Sequence, residues 1–181
     1  MRPWPLLLLA ACAHRPMDVS LRAAVVGPAD WDGLGAAAPV VQEALIDRFA
    51  ALDPLTAAAG AAVVGDLARS MAPPDVRGTM RLSVGGASGG AQVTLHTISD
   101  SFTPVWRGAT LRGVPLRKDT AVLVELWDND PLNDDDLVGQ VSLDARTLRA
   151  AARAGAPRWV DTTELTGGQL LRVAVEVVPA E

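Results

Sequence analysis

The run Ala121-Val122-Leu123-Val124-Glu125-Leu126-Trp127 leads into Asp128-Asn129-Asp130-Pro131-Leu132-Asn133-Asp134-Asp135-Asp136, and Leu137-Val138-Gly139-Gln140-Val141 follows. The first and last of these stretches are rich in β-branched residues and read as strands. Between them, residues 128–136 hold five of the chain's 21 acidic residues. Carboxylates this close repel one another, so bringing them together costs free energy unless a cation neutralises them. Hard oxygen ligands in this number suit Ca²⁺, which takes about 6–8 oxygens in flexible geometry, whereas Mg²⁺ keeps its waters and uses fewer protein ligands. The plainer alternatives are a solvated acidic loop without metal and a cation that only stiffens the loop. An EF-hand does not fit. Counted from Asp128, the fifth position is Leu132, the sixth Asn133 and the twelfth Gly139, where that loop needs an oxygen ligand, Gly and Glu. Its flanks are also strands, not helices.

Outward from this loop the same β character continues. Residues 19–26 form a run with partial alternation. Residues 76–84 and 91–97 read as strands joined by the glycine-rich connection 85–90. A short strand is expected near 109–112, and others over 121–127, 137–144, 158–162 and 169–178. Ala145 to Ala154 reads as a short helix on a crossover. About eight short strands at regular spacing predict a mainly β fold, an antiparallel β-sandwich. Residues 36–72 differ: they are rich in Ala, and Val41, Leu45, Phe49 and Leu52 fall near one helical face. A helical hairpin is the reading, broken at Asp53-Pro54. Gly60 and Gly65 leave a flexible Ala-rich loop as the alternative.

The chain has 181 residues, a formal net charge of −5, 49% hydrophobic residues and one cysteine. This excludes a disordered chain, and the acidic balance argues against nucleic acid as a partner. A single cysteine excludes an internal disulfide and a cysteine-rich zinc site. The N-terminus, with Arg2, the apolar run 6–9 and Ala10-Ala11-Cys12, has the order of a signal segment, although its apolar part is shorter than the usual 7–15 residues or so. Leu9-Ala10-Ala11-Cys12 resembles the lipobox of bacterial lipoproteins. That resemblance implies a signal peptide over 1–11, diacylglycerol on Cys12, a tether over 12–18, a domain over 19–181 and a place on the bacterial cell envelope. An ordinary buried cysteine is the alternative.

Leu126-Trp127-Asp128-Asn129-Asp130, followed by Asp136-Leu137-Val138-Gly139, resembles the third calcium loop of the C2 domain family. Thr103-Pro104-Val105-Trp106 is similar to that family's Asn-Pro-Val-Trp segment, with Thr in place of Asn. Pro73-Pro74-Asp75-Val76 is similar to the second half of its first calcium loop, and Trp31-Asp32 to the first half. The resemblance implies an eight-stranded antiparallel β-sandwich in the circularly permuted (type II) strand order, with the helical segment 36–72 inserted in the first calcium loop. It further implies Asp32, Asp75, Asp128, Asp130 and Asp136 as ligands of Ca²⁺, with Asp30 able to replace Asp32. Membrane phospholipid would complete the ion's coordination. A lipid-anchored module that binds an envelope protein, with or without calcium, is the alternative.

Other features carry less. Gly86-Ala87-Ser88-Gly89-Gly90 satisfies a hydrolase nucleophile pattern, but that pattern needs a helix after the Ser, and an acid and then His downstream. Here a strand follows, and no acid lies between Ser88 and His96. No enzyme activity is expected. Arg112, Arg117 and Lys118 read either as a basic lipid-binding strand or as a solvated face. Trp106 and Trp127 read as core or loop anchors. Trp31 reads as core, with a membrane-interface role as its alternative.

Overall fold

A computed structural model of the chain describes residues 15–27, 73–129, 135–161 and 169–181. Their elements are β1 (Met17–Val26), β2 (Val76–Val84), β3 (Ala87–Ile98), β4 (Thr110–Val114), β5 (Thr120–Asp128), β6 (Asp136–Asp144), β7 (Arg158–Asp161) and β8 (Leu170–Pro179). A helix, α1 (Ala145–Ala154), lies between β6 and β7. The strands form two four-stranded antiparallel sheets, ordered β4-β1-β8-β7 and β3-β2-β5-β6.

The pattern of β5 explains why the sheets face each other. Val122, Val124 and Leu126 are fully buried, while Ala121, Leu123, Glu125 and Trp127 alternate with them on the outer side. Met80 of β2, Val141 and Leu143 of β6, and Leu21, Val173 and Val175 of the other sheet share the same core. Each such side chain stabilises the fold by about 1.5–3 kcal/mol on burial. Trp106 is also fully buried, and its indole Nε1 donates to the His96 carbonyl at 2.9 Å, so its one polar atom is satisfied. The outer face is held by side-chain pairs: Arg81 with Glu125 at 2.5 Å, and Gln140 Nε2 donating to Glu125 at 3.2 Å.

The Thr103-Pro104-Val105-Trp106 segment runs beside the upper half of β1, beyond the reach of β4. Val26 N–H donates to the Phe102 carbonyl at 2.9 Å, Ala24 N–H to Pro104 at 3.0 Å, and Trp106 N–H to Arg22 at 3.0 Å. Thr103 is buried, and its hydroxyl has no partner among the described residues.

Several boundaries differ from expectation. β1 starts at Met17, so Met17 and Asp18 belong to the sheet and not to a tether. The β2–β3 connection is only Gly85-Gly86, with φ of 62° and 79°, the pair a tight hairpin turn requires. Residues 87–90 therefore belong to β3, and the Ser88 motif has no strand-turn-helix around it. The signal segment 1–11 and the helical reading of 36–72 lie outside the described residues.

The sandwich has two distinct ends. Val76 pairs with Asp128, and Asp128 with Asp136; Val26 pairs with Leu170. These positions lie together at one end. Met17 pairs with Val114 and Pro179, Val84 with Thr120, and Ala121 with Asp144 at the other, where α1 follows directly. The segment joining β1 to β2 leaves and re-enters the sandwich at the first end.

Candidate functional site

Three of the expected ligands stand at that first end. Asp75 immediately precedes β2, Asp128 is the last residue of β5, and Asp136 is the first of β6. Register brings them together. The Asp75 backbone N–H donates to Asp128 Oδ1 at 2.8 Å, and Asn129 N–H donates back to the Asp75 carbonyl at 2.8 Å. Asp136 is the cross-strand partner of Asp128. A further backbone bond, from Asp100 N–H to Asp75 Oδ1 at 2.8 Å, aims the Asp75 carboxylate. Asp100 makes this bond from a left-handed backbone, φ 51°, which Asp tolerates better than most residues.

Neighbouring strands lie about 4.8 Å apart, so Asp128 and Asp136 stand opposite each other on adjoining strand ends. The three donors are hard oxygens, and the five expected ligands are all Asp, the chemistry that fits Ca²⁺. They do not close a coordination shell alone: among the described residues no three acidic, His or Cys side chains converge at ligating distance. Asp30, Asp32, Asp130 and Cys12 lie outside the described residues.

Gly139, three residues into β6, is explained by packing. A Cβ there would lie 2.6 Å from Leu170 Cβ, so only glycine lets β6 approach the other sheet just behind the acidic loop.

The structure also shows partners that the sequence did not suggest. Asp135 forms an ion pair with Arg77 on the outer face of β2, so one of the five loop acids is matched by a cation of the protein itself. Trp127 is not a core residue. It lines a groove of about 560 Å³ on the outer sheet face, with Arg77, Thr79, Thr94 and His96. Alternation along β5 carried that signal, since Trp127 is out of phase with Val122, Val124 and Leu126. The pairing of Asp135 with Arg77 had none, because 58 positions separate them. Arg112, Arg117 and Lys118 do not share a strand: Arg112 is on β4, and the other two are in the β4–β5 connection, at the end remote from the acids.

Comparison with known proteins identifies the family of the fold. The family model described as C2 domain matches residues 67–162. The chain therefore belongs to the C2 domain family, whose members bind calcium, membrane lipids or proteins. No curated protein sequence matches it. Among solved structures it resembles the paired C2 domains of extended-synaptotagmin 2 in their calcium-bound form, at 15% identity and a TM-score of 0.50 over 91% of this chain and 46% of that one. It also resembles human GIVD cytosolic phospholipase A2 in complex with methyl gamma-linolenyl fluorophosphonate inhibitor and terbium chloride, at 14% identity and 0.49, over 90% and 17%. A third is the second C2 domain of BON1, at 14% and 0.43, over 93% and 92%. At these identities the likeness is one of fold. The chain spans less than half of the synaptotagmin-type and phospholipase chains it matches.

Proposed function

We propose that this chain is a calcium-dependent phospholipid-binding module held on a bacterial cell envelope by a lipid on Cys12. The observation that carries the calcium reading is the Asp75–Asp128 backbone-to-carboxylate bond with Asp136 directly across the strand pair. It gathers carboxylates from two distant parts of the sequence at one end of the sandwich. In this reading Asp32, Asp75, Asp128, Asp130 and Asp136 hold Ca²⁺ incompletely. Phosphate or carboxylate oxygens of membrane lipid fill the remaining positions, so the ion bridges an acidic protein end to an anionic surface. The lipobox resemblance at residues 9–12 supports the anchor and the envelope location. No enzymatic step belongs to this reading.

The test is a Ca²⁺ titration of the full chain carrying Cys12→Ala, followed by Tm and Trp fluorescence. Binding to the native state must stabilise it, so Tm should rise with Ca²⁺ and stay flat in Asp128→Asn. No shift up to millimolar Ca²⁺ overturns the calcium site. Vesicle sedimentation then separates targets: equal pelleting with Ca²⁺ and with chelator removes the calcium-dependent lipid step and favours an envelope protein as partner. Palmitate labelling that survives Cys12→Ala would remove the anchor.

A further inference from the structure

The outer face of the β3-β2-β5-β6 sheet carries a polar row set by register. Thr79 of β2 is paired with Thr94 of β3 and with Glu125 of β5, and Glu125 in turn with Gln140 of β6. Alternation turns all four outward, since each is followed along the chain by a buried or nearly buried neighbour or preceded by one: Met80, Leu95, Val124 and Val141. In the adjoining row Arg77 is paired with Trp127. Arg77, Thr79, Thr94, His96 and Trp127 wall the groove of about 560 Å³, a size within the range of about 300–1,000 Å³ typical of small-molecule sites. The groove is balanced in charge. Its one Arg, Arg77, pairs with its one acid, Asp135, and further along the same face Arg81 pairs with Glu125. Its other polar groups are unengaged: the Trp127 indole N–H, the Thr94 hydroxyl and the His96 ring form no hydrogen bond among the described residues.

From this arrangement we infer that the groove is a binding site for a neutral oligosaccharide of gluco-configured pyranose rings. Such a ring presents C–H bonds on its faces and hydroxyls around its rim. The C–H face suits the electron-rich face of Trp127, which is half-buried and so held in place with part of its surface open. The rim hydroxyls both donate and accept, which suits Thr79, Thr94, His96 and the outer atoms of the Arg77–Asp135 pair. From β3 to β5 the groove crosses two strand spacings, about 10 Å, so a ring stacked on Trp127 leaves room for a linked ring over β2 and β3. Two other occupants fit less well. An anionic headgroup meets a guanidinium that Asp135 already neutralises. An apolar peptide anchor would cover Thr79, Thr94 and His96 without giving them hydrogen bonds, which costs free energy.

This site uses none of Asp75, Asp128 and Asp136, so it and the calcium reading fail separately. The test is a calorimetric titration of the full chain with Cys12→Ala, in chelator, with cellotetraose and, separately, with the β-1,4-linked tetramer of N-acetylglucosamine. Saturable binding of at least one tetramer is expected, with Kd below about 1 mM. The bound tetramer should protect Trp127 from oxidation by N-bromosuccinimide, read by peptide mass spectrometry, and inorganic phosphate should not compete. Trp127→Ala should weaken binding about tenfold or more, and Thr94→Val, which keeps the side chain's shape, about three- to tenfold. A Tm measurement checks that Trp127→Ala folds; if it does not, Thr94→Val and the protection of Trp127 carry the test. No binding of either tetramer at about 10 mM, or binding that leaves Trp127 open to oxidation, overturns the inference. Competition by phosphate overturns it in favour of an anion site.

Discussion

The two ends of the sandwich are built by different means. At the acidic end, chain segments far apart in sequence are brought together by sheet register. Asp75 and Asp128 touch because β2 and β5 are neighbours, and Gly139 is needed because β6 approaches Leu170. At the opposite end the architecture is local. Asp144 caps α1, Arg149 pins it to the β4–β5 connection, and Gly155 ends it in a left-handed conformation, φ 65°, with open space around a would-be Cβ. Glycine therefore serves close approach at one end and backbone conformation at the other. The acidic end should respond to changes anywhere along its sheet, whereas the opposite end should tolerate change until the helix is loosened.

The largest expected effect comes from loosening the helix. Leu148 is fully buried beneath α1, so Leu148→Ala should cost about 2–5 kcal/mol in urea unfolding. The calcium-induced rise in Tm should be kept; its loss would show that the ends are not independent. Next is Gly139→Ala, which forces Cβ against Leu170 and should cost about 1–3 kcal/mol by overpacking. It should weaken the calcium response, which Leu148→Ala should leave in place. Swapped outcomes would break the comparison.

Smaller effects sharpen it. Asp144→Ala removes the α1 cap and should cost about 1 kcal/mol at neutral pH. Hydrogen bonds from the Thr147 backbone and then its side chain lower the Asp144 pKa below its ordinary value. A carboxylate with a depressed folded-state pKa contributes stability above its unfolded pKa, about 4, and loses it as pH falls through the folded value. The Tm difference between the original and Asp144→Ala chains should thus be constant above about pH 5 and shrink below about pH 4. The smallest effect belongs to the exposed side of β7, where Arg172 Nε meets Asp161 at 2.5 Å. Asp161 is 60% exposed, so Asp161→Asn should change stability by no more than about 1 kcal/mol and leave the calcium response in place. A larger loss would mean that the pairing of β7 with β8 depends on this contact.

Much of this was legible in the residues. Alternation along 121–127 and 137–144 announced strands because a half-buried sheet has a period of two. The helix over 145–154 was legible because Asp precedes it and Gly follows it. The crowding of acids at 128–136 was legible directly from the composition of one loop. Trp127 was read as a core or loop anchor, and only its phase in β5 shows that it faces outward. The 85–90 connection was read too long because glycines also occur within strands, and the turn itself needs only the two at positive φ.

By itself, the sequence determined the eight strands, the two-layer architecture they imply and the acidic loop, because hydrophobic period and charge density are local properties of the chain. Tertiary structure alone decided which acids meet. Asp128 is brought to Asp75 and Asp136, while Asp135 turns to Arg77 instead. The physical reason is that register, which strand lies beside which and at what offset, follows from the packing of the whole core and is written in no single segment.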